Sequence, residues 1–157
     1  MTLALEDESA TERIGRRLAD SIPQDSNELL LTLRGELGAG KTSLARALLR
    51  ALGVAGPVRS PTYTLVEPYE LRRGKVLHLD LYRLGGSEEL EMIGYRDLRA
   101  GSLLTLVEWP ERAAGALGTP DVEAELEYAG AGRRLCLRAG TQAGRSWLDP
   151  LAREAVA

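Results

Sequence analysis

This sequence predicts a three-layer α/β fold, with a central mixed sheet flanked by helices. Three observations carry that prediction. An apolar run of strand length, Leu29 to Leu33, is followed by a glycine-rich stretch and then by a helical stripe of Leu44, Leu48, Leu49 and Leu52. A second apolar run, Ser102 to Val107, has the character of a strand covered on both faces, as parallel strands are. Two alternating pairs, Thr64–Leu71 with Val76–Tyr82 and Val122–Tyr128 with Arg133–Leu137, each flank a glycine-bearing turn and read as antiparallel hairpins.

In chain order, Ser9 and Glu12 have capping-box spacing, which places a helix start at Ser9. Ile14, Leu18 and Ile22 recur every four residues and form the buried stripe of that helix, which ends at Pro23. Residues 24–28 are a polar loop. The strand Leu29–Leu33 then runs into the glycine stretch, whose helix starts at about Gly40 and stops at Gly53. A loop carrying Pro57 and Pro61 leads to the first hairpin, which turns at Arg72–Lys75. Ser87 is placed to cap a short, acidic helix containing Leu90 and Ile93 and closed by Gly94. The strand Ser102–Val107 follows, with Glu108 at its end and Pro110 just beyond. The second hairpin turns at Gly130-Ala131-Gly132, and Asp149-Pro150 reads as the start of a last helix.

The chain of 157 residues is the length of one domain. Residues 1–140 are expected to form it. Residues 141–157 form a C-terminal tail, for which a short docked helix is the expectation, with Trp147, Leu148 and Leu151 as its apolar patch. The formal charge of −3 speaks against a protein that holds nucleic acid unaided, since such proteins are usually basic. Cys136 is the single cysteine, so neither an intramolecular disulfide nor a cysteine metal cluster is available, and it reads as a core residue. No apolar run approaches the ~20 residues that span a bilayer. The acidic start, Glu6-Asp7-Glu8, is not a signal peptide. A cytoplasmic address without membrane contact follows as the expectation.

Gly35-Glu36-Leu37-Gly38-Ala39-Gly40-Lys41-Thr42 fits G-x-x-x-x-G-K-S/T, the phosphate-binding P-loop. The glycines allow turns that a Cβ would block and a close approach to an anion. The turned backbone aims successive N–H groups inward, and the following helix adds the positive end of its dipole. The Lys41 ammonium suits the β- and γ-phosphates, and the Thr42 hydroxyl is the usual ligand for the bridging Mg²⁺. Strand, glycine loop and helix occur in the order this chemistry needs, so the fold is P-loop NTPase-like.

Leu103–Glu108 resembles a Walker B strand, in which a terminal carboxylate orients Mg²⁺ directly or through water. In His78-Leu79-Asp80-Leu81-Tyr82, period two puts His78, Asp80 and Tyr82 on one face and Leu79 and Leu81 toward the core. His78 then reads as a hydrogen-bonded surface residue. Asp80 is a candidate to position or deprotonate a water near the γ-phosphate, although exposed strand carboxylates are common. Ser60-Pro61-Thr62-Tyr63 reads as a proline-stiffened connector, at a place where NTPases often keep a γ-phosphate sensor.

Together these stretches resemble the TsaE family (also called YjeE), small bacterial P-loop ATPases of tRNA threonylcarbamoyladenosine synthesis. The resemblance rests on the P-loop, on Ser60–Glu67, on His78–Leu84 and on Leu106-Val107-Glu108-Trp109-Pro110, and covers about Thr11 to Leu137. It implies that Glu36, Leu37, Gly38, Ala39, Gly40 and Lys41 wrap the phosphates of ATP. It also implies that Thr42 and Glu108 hold Mg²⁺, and that Lys41, Asp80 and Glu108 serve catalysis. Thr11 matches a position near the adenine, Trp109 an aromatic near the nucleotide, and Arg133 a basic position contacting nucleotide, with Arg134 its neighbour. The resemblance further implies TsaD and TsaB as protein partners, with tRNA reached indirectly through them.

Two other readings share these motifs: a small-molecule kinase of the P-loop class, and a nucleotide-dependent binding switch with negligible turnover. The acidic, short Glu88–Gly94 segment does not resemble an arginine-rich kinase lid. A GTPase is disfavoured, because Asn27, the only asparagine, precedes the P-loop and no Asn-Lys-x-Asp motif exists. The motifs set neither the oligomeric state nor which of Asp80 and Glu108 orients the attacking water.

Overall fold

The computed structural model describes residues 1–156. Its centre is a sheet of seven strands in the order β1-β7-β6-β2-β5-β4-β3. The strands are β1 (Thr2–Leu5), β2 (Leu29–Arg34), β3 (Val66–Leu71), β4 (Gly74–Asp80), β5 (Leu104–Glu108), β6 (Val122–Ala129) and β7 (Gly132–Ala139). β2 runs parallel to both β5 and β6, and β4 runs parallel to β5. The outer pairs β3–β4, β6–β7 and β1–β7 are antiparallel. The sheet is thus mixed, with a parallel core and antiparallel hairpins.

The helices are α1 (Glu8–Asp20), α2 (Lys41–Ala51), α3 (Glu88–Met92), α4 (Tyr95–Arg99) and α5 (Gln142–Val156). Leu29, Leu31 and Leu33 of β2 join a large core with Ile14 and Leu18 of α1, Leu44 and Leu48 of α2, and Trp147 of α5. Leu30 joins a smaller core on the opposite face, with Leu77, Leu79, Leu90, Tyr95 and Val107. Fully burying one such side chain contributes about 1.5–3 kcal/mol, so a strand apolar on both faces is stable only between two helical layers. α1 and α2 lie so close that a Cβ on Gly15 would stand 2.5 Å from the Ala47 Cβ.

The structure departs from the sequence reading at several element ends. α1 begins at Glu8, capped by Asp7, whose carboxylate accepts from the Ala10 N–H at 2.7 Å. Asp7 competes with Ser9 for the cap and stands one turn-start earlier, so Ser9 falls inside the helix and accepts from Arg13 instead. β3 begins at Val66, because residues 62–64 form a turn. α5 begins at Gln142, with the Thr141 hydroxyl accepting from the Gly144 N–H at 3.1 Å, and it continues through Pro150. Burial of Trp147, Leu148 and Leu151, and the Trp147 indole bond to the Leu18 carbonyl at 2.8 Å, offset the hydrogen bond that proline cannot make. β1 and α4 have no counterpart in the pattern reading. Cys136 is only half buried, on the face of β7 opposite Leu135 and Leu137. Among the described residues, no helix is long and apolar enough to cross a membrane.

Candidate functional site

The parallel strands deliver their C-terminal ends to one edge, where ligands of open α/β sheets bind. Register pairs Leu33 of β2 with Glu108 of β5, and Asp80 of β4 with Glu108. The loop Gly35–Gly40 leaves β2 at that edge and enters α2. Gly35, Gly38 and Gly40 all have positive φ, at 143°, 77° and 106°. At Gly35 a Cβ would also stand 2.4 Å from the Leu126 carbonyl oxygen, so only glycine fits there. The first N–H groups of α2 have no partner within the helix, and no side chain caps them.

Lys41 is almost wholly buried. Its ammonium donates to the carbonyls of Gly35 at 2.6 Å and Glu36 at 2.8 Å, and sits 3.8 Å from the centre of the Trp109 ring. Burial pulls its pKa below the ordinary lysine value, while the carboxylates of Glu108, Glu111 and Asp80 pull it back up. Trp109 reaches this position from a left-handed backbone conformation, φ 58°, directly after β5. Such a conformation is costly for an aromatic residue and persists only where the surroundings impose it.

The Thr42 hydroxyl donates to Glu108 Oε2 at 2.7 Å. The other Glu108 oxygen lies 2.8 Å from His78 Nε2, and both residues are buried. His78 is therefore not the surface residue its alternation suggested: consecutive residues of β4 from Val76 to Asp80 are all buried, so period two marks no solvent side there. Asp80 is also buried. Its Oδ2 accepts from the Ser60 hydroxyl at 2.6 Å and the Thr62 hydroxyl at 3.1 Å, and its Oδ1 from the Tyr82 N–H at 3.0 Å. Ser60 and Thr62 thus do more than connect, although their Ser-Pro-Thr sequence reads equally well as a bare linker.

These groups line a cavity of about 350 Å³ whose walls include Leu37, Lys41, Thr42, Asp80, Glu108 and Trp109. A second cavity of about 350 Å³ shares Gly38, Gly40 and Ser43 with it and is walled by Asp7, Thr11 and Arg133. Arg133 donates to the Gly38 carbonyl at 3.3 Å and stacks on the Tyr128 ring, and the Tyr128 hydroxyl donates to the Leu37 carbonyl at 2.8 Å. The β6–β7 hairpin so braces the glycine loop from outside. Arg134 points elsewhere, to Glu127. Glu36 is exposed at the loop's rim, and Ala39 is buried beneath it.

The donor set suits a small hard cation. Thr42 and Glu108 offer two oxygens beside the glycine loop, and Mg²⁺ is usually held by one or two protein oxygens plus substrate phosphates. Among the described residues no cluster of three or more His, Cys, Asp or Glu could hold a metal without a substrate.

The family model for the threonylcarbamoyl adenosine biosynthesis protein TsaE matches residues 5–136. The chain belongs to the TsaE family. The tRNA threonylcarbamoyladenosine biosynthesis protein TsaE of Haemophilus influenzae is 38% identical over 148 residues, which are 93% of this chain and 94% of that one. The TsaE of Aquifex aeolicus is 42% identical over 110 residues, 69% of this chain and 75% of its own. In fold, the TsaE-family chain resembles the crystal structure of Bacillus subtilis YdiB, with a TM-score of 0.78 over 99% of this chain and 95% of that one, at 23% identity.

Proposed function

We propose that this TsaE-family chain binds ATP with Mg²⁺ on the loop Gly35–Thr42 and hydrolyses it in the service of tRNA threonylcarbamoyladenosine synthesis. The observation that supports this best is the convergence of Lys41, Thr42 and Glu108 at one sheet edge, with Thr42 and Glu108 in direct hydrogen bond. In this reading Glu36–Lys41 wrap the phosphates, Thr11 lies near the adenine, Arg133 contacts the nucleotide from the same cavity as Thr11, and Trp109 lies near the nucleotide beside Lys41. Thr42 and Glu108 hold Mg²⁺, which when bound neutralises charge on the β- and γ-phosphates.

The reaction is in-line attack of a water oxygen on the γ-phosphorus, with the bond to the β–γ bridging oxygen breaking and ADP leaving. Lys41 and the loop N–H groups stabilise the charge that builds on the phosphoryl oxygens. Asp80 orients the water in this reading, because Glu108 is given to the cation with Thr42 and is held there by His78. In the resting arrangement Asp80 is itself held by Ser60, Thr62 and the Tyr82 N–H. Slow turnover follows unless the 60–62 loop moves, which also lends weight to the reading as a nucleotide-dependent switch.

Partners that move this loop would set the rate. We place the protein in the cytoplasm with TsaB and TsaD as those partners, and with tRNA engaged through them. Phosphate release from ATP, measured alone and with the TsaB–TsaD pair, tests the proposal. Stimulation by the pair supports it. Phosphate transferred to a small metabolite instead of to water replaces it with a kinase.

A further inference from the structure

His78 is the only histidine in the chain, and no solvent reaches it. It stands in β4 opposite Leu106 of β5, two residues before the pair Asp80–Glu108 at the strand ends. Its Nε2 lies 2.8 Å from Glu108 Oε1, while Glu108 Oε2 takes the Thr42 hydroxyl at 2.7 Å. Its Nδ1 is one of the few buried side-chain polar atoms that lack a partner.

A carboxylate only accepts, so in the 2.8 Å contact Nε2 is the donor. Nδ1 has no partner among the described residues, so the one hydrogen bond the ring makes goes to Glu108.

This directed hydrogen bond holds one carboxylate oxygen and leaves the other turned to Thr42. We infer that His78 is a positioning residue: its Nε2–H fixes the Glu108 carboxylate so that Oε2 faces Thr42 and the cation of the bound nucleotide. The inference rests on the proposed Mg²⁺-nucleotide site, and it adds a residue that touches neither nucleotide nor cation. Outer partners that orient metal ligands typically change metal affinity by ~10–100-fold when removed.

The test compares ATP affinity with Mg²⁺ and with EDTA for wild type, His78→Leu and His78→Gln. Leucine fills the space without a donor, and glutamine restores an N–H donor. The gain in affinity that Mg²⁺ confers is expected to shrink by about 10-fold or more in His78→Leu. It should recover largely in His78→Gln, with affinity in EDTA within about 2-fold of wild type throughout. A purely structural role would lower both affinities together, or neither, and either result overturns the inference. If wild type itself shows no gain from Mg²⁺, the metal site proposed above fails first and takes this inference with it. Should His78→Leu not fold, nitrogen NMR of the intact protein decides, since one histidine gives one imidazole. A slowly exchanging proton on Nε2 supports the assignment, and its absence or rapid exchange at Nε2 overturns it.

Discussion

Asp80 and Glu108 are register partners on adjacent parallel strands, yet their carboxylates serve different neighbours. Glu108 is bound by His78 and by the Thr42 hydroxyl at the start of α2. Asp80 is bound by the hydroxyls of Ser60 and Thr62. Two buried acids side by side thus face different neighbours in one cavity, Glu108 toward Thr42 and Asp80 toward the 60–62 loop.

The two acids should accordingly fail in different ways. Asp80→Asn is expected to bind Mg²⁺ and ATP about as wild type does and to lose turnover by roughly 10²–10⁴-fold, the usual worth of a positioned acid or base. Glu108→Gln is expected to lose the affinity gain from Mg²⁺ as well as turnover. Binding titrations with and without Mg²⁺, beside phosphate release, check both. Equal defects in binding for the two variants would contradict the division of labour.

Lys41 should give a pH-dependent stability signature. Its pKa is lowered in the fold, chiefly by burial. At pH values below that lowered pKa, both folded and unfolded states carry the charge, and the fold bears the full cost of burying it. As pH rises toward 10.5 the folded group loses its proton first, and the cost is released. The ligand-free Lys41→Met variant should therefore gain stability relative to wild type near neutral pH, and this charge-linked part of the difference should shrink as the solution is made alkaline. Loss of the hydrogen bonds to Gly35 and Glu36 shifts the difference by a constant but does not alter its slope. Thermal unfolding of both proteins from pH 7 to 10 reads it, and a pH-independent difference would count against the buried charge.

Gly35→Ala tests the loop's geometry without touching a charge. The new Cβ would meet the Leu126 carbonyl at 2.4 Å, at a backbone φ of 143°. Strain of this kind costs about 1–3 kcal/mol, so Tm should fall by roughly 2–12 °C for a domain of this size. ATP affinity should drop with it, because the loop must shift. An unchanged Tm would show that the close approach to β6 is absent.

The last helix should be a full member of the fold. Trp147 is completely buried and donates to the Leu18 carbonyl. Trp147→Ala is expected to destabilise by about 3–5 kcal/mol, and Trp147→Phe by about 1–2 kcal/mol, through the lost hydrogen bond and the unpaired carbonyl. Denaturant unfolding measures both, and a change below 0.5 kcal/mol in the alanine variant would contradict the packing.

The parts of this fold that the sequence reveals are those where periodicity and chemistry coincide. The run Leu29–Leu33 followed by Gly35–Thr42 is legible because a strand, a glycine turn and a helix start each leave a separate residue signature. The starts of α1 and α5 are not legible, because Asp7 and Thr141 are small polar residues whose capping role depends on where the chain turns. The burial of His78 is hidden for a different reason: alternation marks a solvent face only when one side of a sheet is open, and β4 is buried on both. The bonds from Ser60 and Thr62 to Asp80 join residues about twenty positions apart, and no local pattern encodes them. β1 is four residues long and gains its place only by pairing with β7 at the far end of the chain.

The central claim is that the loop from Gly35 to Thr42 grips the triphosphate of ATP through Lys41. Calorimetric titration of ATP with Mg²⁺ into wild type and Lys41→Ala tests it most directly. A charge-assisted hydrogen bond is worth ~1.5–3 kcal/mol, so the variant should bind roughly 10- to 150-fold more weakly. Equal affinity for the two proteins would remove Lys41, and with it this loop, from the nucleotide site.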